Sequence, residues 1–209
     1  SLVQKHHHSQ KFQRDYLSVF VQYNGYETGL LVVEKSLDDI AVISVRKEAY
    51  ITKIARVLPD TNAAVVFLMP QSQWQKINTI EQAQSISIGN VDLIIPTNAF
   101  ITADGRVASG EIDIAVTPWL PEGNVTAAIY ASNINGQTGE LASLFSHAML
   151  NIVMRDSDGK SLQIAAGKTI TVKQILPSSI RLQEGKALSI WQLNDNTGLW
   201  QEHESARVS

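Results

Sequence analysis

The segment from Leu188 to Trp200 constrains the fold of this chain more than any other. Leu188 and Ile190 alternate with polar residues, a turn rich in Asn and Asp ends at Gly198, and a second apolar run resumes at Leu199. Alternation with a period of two is typical of a strand with one buried and one wet face. Asn, Asp and Gly favour tight reversals, because they tolerate positive φ or hydrogen-bond their own backbone. The segment therefore predicts a β-hairpin.

The same pattern fills residues 15–70. Turn residues separate short apolar runs at 16–23, 30–34, 40–45, 51–58 and 63–69. Reversals every ~8–12 residues are typical of a small β-sandwich. The run from Ala63 to Met69 is almost wholly apolar, which predicts a central strand buried on both faces.

A second set of strand patterns occupies residues 91–209. Ile112, Ile114 and Val116 alternate on one face of a predicted strand at 111–117, and Pro118 is expected to end it. Asp104-Gly105 predicts a hairpin turn. Residues 71–90 read as a connection, with short strands favoured over a helix at 73–84. The apolar stretch 141–154 has an expected break at Ser146-His147.

Composition excludes several classes of function. The net charge is -3 and no basic stripe is visible, which argues against a nucleic-acid partner. No apolar run approaches the ~18 residues of a membrane span. The absence of cysteine excludes a disulfide scaffold, a thiol nucleophile and cysteine-ligated zinc. Residues 1–14 read as a polar leader or a cloning remnant, and its three consecutive histidines would point in alternating directions on an extended chain.

Four motifs in order give residues 91–204 a resemblance to the β-sandwich domain of cartilage intermediate layer proteins and their bacterial relatives. The motifs are Ile94-Ile-Pro-Thr-Asn-Ala-Phe100, Gly110-Glu-Ile-Asp-Ile114, Ser161-Leu-Gln-Ile-Ala-Ala-Gly-Lys168 and the hairpin from Trp191 to Trp200. The sandwich of netrin receptors and ankyrins is a more distant likeness. The family has Ser-Phe-Gly before its middle strand where this chain has Leu144-Phe-Ser-His147, so a different local backbone is expected there.

Residues 15–70 resemble a transthyretin-like, carboxypeptidase-regulatory-like domain. The matching segment is Val42-Ile-Ser-Val-Arg-Lys-Glu-Ala-Tyr50, in which Ala49 stands where the family has glycine. The two resemblances together imply an extracytoplasmic accessory module, which is periplasmic, cell-surface or secreted, in a bacterial protein.

Two alternative functions have candidate residues. Aromatic faces can stack on sugars, so a carbohydrate-binding module would use the tryptophans at 74, 119, 191 and 200, of which Trp119 is expected to be the most exposed. Cross-strand packing of Trp191 with Trp200 explains that pair equally well. A self-processing sandwich would cleave at Phe145-Ser146, where the hydroxyl attacks the preceding carbonyl and His147 moves the proton. A buried Phe at a strand bend is the simpler interpretation.

Other catalytic and metal patterns are incomplete. Ser146 and His147 are adjacent on a predicted strand and point to opposite faces, so they cannot act together as nucleophile and base. Asp156 and Asp158 begin like a calcium loop, but the later bidentate Glu is missing, which favours a hairpin turn.

The sequence therefore predicts an all-β protein of two immunoglobulin-like or transthyretin-like sandwich modules, with no catalytic, cofactor-binding or metal-binding residue. We expect a non-enzymatic structural or protein-interaction module that binds a protein or a glycan. A sheet edge or a groove between the modules is the expected binding surface, because edge strands recruit other strands.

Overall fold

The computed structural model describes residues 14–23, 27–36, 40–59, 61–78, 82–119, 125–131 and 140–209. All regular structure in these residues is β-strand and no helix occurs among them, which confirms the all-β fold class. The chain divides into two compact units. The N-terminal unit comprises the described residues up to Met69 together with Leu193–Gln201, and the second unit comprises Pro70–Gln192 and Glu202–Ser209.

Five strands form the N-terminal unit. They are β1 (Arg14–Tyr23), β2 (Glu27–Ser36), β3 (Ala41–Val45), β4 (Lys53–Val57) and β5 (Ala63–Phe67). The first sheet has the order β2-β1-β5, with β2 antiparallel and β5 parallel to β1. The antiparallel pair β3-β4 forms the second sheet.

The core of the N-terminal unit lies between these two sheets. Val21 of β1 and Val66 of β5 supply it from the first sheet, and Val45 and Val57 supply it from the second. Val45 and Val66 are each buried between two exposed neighbours, as a period of two requires when only one sheet face is covered. The unit is thus a small two-layer sandwich.

The prediction for residues 63–69 is wrong in one respect. β5 is an edge strand of its sheet rather than a central one, and only one of its faces is buried. Val66 is 3% exposed, whereas Val65 is 59% and Phe67 60% exposed. The apolar run does mark a strand, but the described residues cover just one of its sides.

The second unit contains the remaining strands, except that the adjoining ends of the last two lie within Leu193–Gln201 of the N-terminal unit. They are β6 (Gln75–Ile77), β7 (Gln84–Ile88), β8 (Val91–Ile95), β9 (Phe100–Ile101), β10 (Ile112–Trp119), β11 (Val125–Ala131), β12 (Glu140–Ser146), β13 (Met149–Asp156), β14 (Gln163–Ile164), β15 (Thr171–Gln174), β16 (Ala187–Asn194) and β17 (Leu199–Arg207). β6 and β7 confirm the preference for short strands over a helix in this part of the chain. The sheets have the orders β13-β10-β6, β15-β8-β7, β12-β11-β17-β16 and β14-β9.

A single apolar core holds the first two of these sheets face to face. Leu93 and Ile95 of β8, Ile112 and Ile114 of β10, and Phe100 are all at most 1% exposed. Close packing of this kind between two sheets defines a β-sandwich. The predicted alternation of apolar residues in β10 is confirmed.

β10 differs from its prediction on its second face and at its end. Ala115 is fully buried, so the strand is covered on both sides in the way expected for residues 63–69. Pro118 does not end the strand, which continues to Trp119 opposite Met149. β6 pairs with β10 only at residues 112–114, so the missing N–H of Pro118 interrupts no ladder on that side.

The C-terminal hairpin is confirmed, as β16 and β17 joined by a turn at 195–198. Gly198 has φ +65°, a conformation that glycine adopts without the steric penalty of a Cβ atom. The amide of Gly198 donates to the carbonyl of Asn194 at 2.8 Å. Ile190, expected on the buried face, is 43% exposed.

Candidate functional site

The outer face of the sheet β2-β1-β5 carries large exposed apolar side chains. Leu30 pairs with position 20 of β1, which pairs in turn with Val65, so these residues share one face. Val32 and Phe67 lie on the same face by the same register. The exposed fractions of these four side chains range from 58% to 61%. Exposed apolar side chains that share one sheet face form a candidate site of interaction.

The central part of the edge strand β2 lacks the features that usually protect an edge, and the charged residues of the strand, Glu27, Glu34 and Lys35, lie nearer its two ends. It pairs with β1 through ten consecutive positions without a bulge, and within the described residues it has no strand on its other side. Residues 29–33 read Gly-Leu-Leu-Val-Val, with neither a charge nor a proline. Natural proteins blunt edges with charges, prolines and bulges, because unpaired N–H and C=O groups recruit other strands. Within the part of the chain that the structure describes, the central segment of this edge is open to strand addition.

An apolar depression of about 190 Å³ lies between β2 and the end of β3. Gly29 and Leu31 of β2 line it on one side, and Val45 lines it on the other. A Cβ atom at Gly29 would meet nothing within 4 Å, so the missing side chain contributes to the open space. Leu31 lies on the inner face of the sheet but is still 49% exposed, because the second sheet does not cover it.

Two cationic residues complete the lining of the depression. Arg46 and Lys47 follow β3 directly, and both are exposed. The ammonium of Lys47 lies 5.8 Å from the centre of the Tyr50 ring, within the range of a cation–π contact. Ala49, which lies between Lys47 and Tyr50 in the chain, adopts φ 63°. The amide of Tyr50 donates to the carbonyl of Lys47 at 3.1 Å. The tight turn therefore sets the two cations beside the apolar surface.

The four tryptophans of the carbohydrate-binding hypothesis are all half-buried, Trp119 included, so Trp119 does not have the expected high exposure. The guanidinium carbon of Arg155 lies 4.0 Å from the ring centre of Trp74, and Arg155 also binds Asp113 at 3.0 Å. One face of Trp74 is thus occupied by a cation.

The proposed cleavage site lies at the end of β12. The break predicted at Ser146-His147 is confirmed, since β12 ends at Ser146 and β13 begins at Met149. The Ser146 hydroxyl donates to the carbonyl of Ala148 at 2.8 Å. A nucleophilic hydroxyl would instead direct its proton to a base. The hydrogen bond favours a serine that stabilises the turn between two strands.

The two loops rich in aspartate are hairpin turns. Asp156 Oδ1 accepts the amides of Asp158 and Lys160, at 3.0 and 2.8 Å, and Gly159 has φ 80°. No group of three or more His, Cys, Asp or Glu side chains is placed to hold a metal ion in the described part of the chain. In the predicted turn at Asp104-Gly105, hydrogen bonds from Arg106 and Thr102 lower the pKa of Asp104 to about 2. These carboxylates stabilise the turns.

Among the described residues, no helix is long and apolar enough to cross a membrane.

Comparisons with known proteins show similarity to cartilage intermediate layer proteins over most of the chain. Human cartilage intermediate layer protein 2 is 29% identical over 202 residues, which cover 90% of this chain and 17% of that protein. Mouse cartilage intermediate layer protein 1 is 26% identical over 198 residues, with coverages of 87% and 16%. The chain thus spans less than a fifth of the length of these relatives. No protein-family model and no solved structure matches it.

The similarity extends and corrects the resemblance to cartilage intermediate layer proteins. It is not confined to residues 91–204, because the alignment with the human protein covers 202 residues. These relatives come from human and mouse, so they do not support the expected bacterial origin.

The sequence predicts a sheet edge as a binding surface but does not indicate which residues of the N-terminal sheet form it. The signal was present in the run from Ala63 to Met69, which is apolar at successive positions. A strand of this kind has two apolar faces, so whichever face the core leaves uncovered becomes a binding surface. The positions of Gly29 and Arg46 at one depression depend on how the two sheets stack, which no local pattern encodes.

Proposed function

We propose that this chain is a non-enzymatic protein-interaction module of a secreted or cell-surface protein. The exposed apolar outer face of the N-terminal sheet carries the proposal, since Val65 and Phe67 remain uncovered beside the buried Val66. Burying such side chains against a partner yields about 25 cal/mol for each Å² of apolar surface. The open edge of β2 adds backbone groups that a partner can pair with.

The proposed location outside the cell rests on the relatives. Both are named for the intermediate layer of cartilage, and the similarity covers most of this chain. A structural or interaction role outside the cell agrees with a small β-sandwich that contains no cysteine.

The proposal includes a finer domain assignment. Residues 15–70 form a transthyretin-like, carboxypeptidase-regulatory-like domain, and residues 91–209 form a sandwich of the cartilage intermediate layer protein type. Residues 71–90 connect them and contribute β6 and β7 to the second unit. The two-layer core of the N-terminal unit and the motifs between Ile94 and Lys168 support this assignment.

Photo-crosslinking tests the proposed function. A photoreactive amino acid replaces Val32 or Phe67, and it is activated in medium that the source cells have conditioned. The controls carry the same amino acid at Lys168 or Ser189, which are exposed residues of the second unit. We expect the first pair of positions to capture a defined secreted protein, and an excess of unlabelled chain to suppress the capture. Equal capture from all four positions, or none, would refute the assignment of the partner surface.

A further inference from the structure

The depression beside β2 combines three features that together specify a ligand. One is an unprotected strand edge, the second is an apolar space of about 190 Å³ next to that edge, and the third is a pair of cations that line the space. Each is common alone. Their juxtaposition around Gly29 is what limits the chemistry of an occupant.

The edge selects an extended backbone. The uncharged segment 29–33 of β2 lies in a straight register with β1, so a peptide strand placed alongside would continue the sheet. Strand addition draws its affinity from main-chain hydrogen bonds and its specificity from pockets that receive alternate side chains.

The depression selects one apolar side chain of that strand. Its floor includes Val21, Val45 and Leu68, which are 6–7% exposed, so the cavity ends on the core of the unit. A cavity of about 150 Å³ accommodates a benzene ring, so this space is large enough for a leucine or phenylalanine side chain. Because Gly29 has no side chain, the depression opens directly beside the β2 backbone.

The positive charge beside the depression favours a peptide with acidic residues next to its apolar side chain. The segment 40–58 contains four cationic side chains and one acidic one, whereas the whole chain has a net charge of -3. Arg46 and Lys47, two of these cations, line the depression itself. A carboxylate on the bound strand would pair with this rim, and steering by opposite charge would raise its rate of association.

We propose that the edge of β2 binds an extended acidic peptide of another protein as an additional strand, with one apolar side chain in the depression and a carboxylate at Arg46. This inference rests on the proposed function, since it identifies the chemistry of the partner that the N-terminal sheet receives.

The test uses a short fluorescein-labelled peptide in which glutamate alternates with leucine and valine, and measures fluorescence anisotropy with the full chain. Gly29→Val places a side chain beside the depression, where a Cβ atom meets nothing within 4 Å, and valine favours the strand conformation. Arg46→Glu reverses the charge at the rim, and Lys168→Glu makes the same charge change in the second unit. Circular dichroism checks that each variant is folded.

We expect Gly29→Val and Arg46→Glu each to weaken binding by roughly tenfold or more, and Lys168→Glu to leave the affinity unchanged. A peptide with lysine in place of glutamate, or with a methylated backbone, should bind far more weakly. Amide resonances of residues 29–33 should shift on addition of the acidic peptide. Failure of that peptide to bind, equal binding of its lysine analogue, or unchanged affinity of the Gly29→Val variant would overturn the proposal.

The two levels of the hypothesis can be separated. If crosslinking from Val32 captures a partner while the acidic peptide does not bind, the interaction module stands and the acidic strand is wrong. If neither result is obtained, both fail.

Discussion

Replacing Ala49 with glycine should stabilise the N-terminal unit. Ala49 adopts φ 63°, in the left-handed region where a Cβ atom costs an L-residue about 1–2 kcal/mol. Glycine removes that cost but increases the entropy of the unfolded chain by an equivalent of about 0.4–1 kcal/mol. The net expected gain is about 0.5–1 kcal/mol.

Native-state hydrogen exchange measures this gain in the unit that contains the substitution. The amides of Val21 and Val66, both in buried core positions, should exchange roughly two- to fivefold more slowly in the variant. Ala63→Gly is the matched control, because Ala63 is also exposed but lies in β5. Glycine within a strand costs roughly 0.5–1 kcal/mol, so the control should exchange faster. Faster exchange in both variants would refute the left-handed turn at residue 49.

Three further predictions concern the second unit and the hairpin tip. Phe100→Ala should cost about 3–5 kcal/mol in thermal or urea unfolding, since Phe100 is 1% exposed in the core. Gly198→Ala should cost about 1–2 kcal/mol, because φ is +65° and the new Cβ would lie 3.3 Å from Cβ of Arg56. The pKa of Asp104 is lowered from 3.8 to about 2, so the stability that this carboxylate contributes is present above pH 4 and is lost as the pH falls towards 2. An NMR titration of the carboxyl group should show a midpoint near pH 2, and Arg106→Leu should return the pKa towards 3.8.

The strands were predictable because burial on one sheet face imposes a period of two on the sequence. Ile112, Ile114 and Val116 follow that period and are all fully buried. The turns were predictable at Gly105, Gly159 and Gly198, since each has the positive φ that the local residues indicate. Both signals are local, so they do not depend on knowing which strands pair.

Strand order could not be derived from the same signals. An apolar run such as residues 63–69 indicates that a strand can be buried on both sides. In the described sheet, however, β5 pairs only with β1 and therefore lies at an edge. The expectation that Pro118 ends its strand was wrong for a similar reason. The short strand β6 pairs with β10 only at residues 112–114, so a proline is tolerated further along β10. The candidate site depends on these strand pairings, so the sequence alone could not predict it.

Thiol reactivity tests most directly whether the N-terminal sheet is covered on one face only. The chain has no cysteine, so single cysteines at positions 65, 66 and 67 can be compared without interference. A soluble thiol reagent should modify cysteines replacing Val65 and Phe67 nearly as fast as unfolded chain, and a cysteine replacing Val66 only after denaturation. Equal protection at all three positions would show that the outer face is already covered, and would contradict a free partner-binding surface on this sheet.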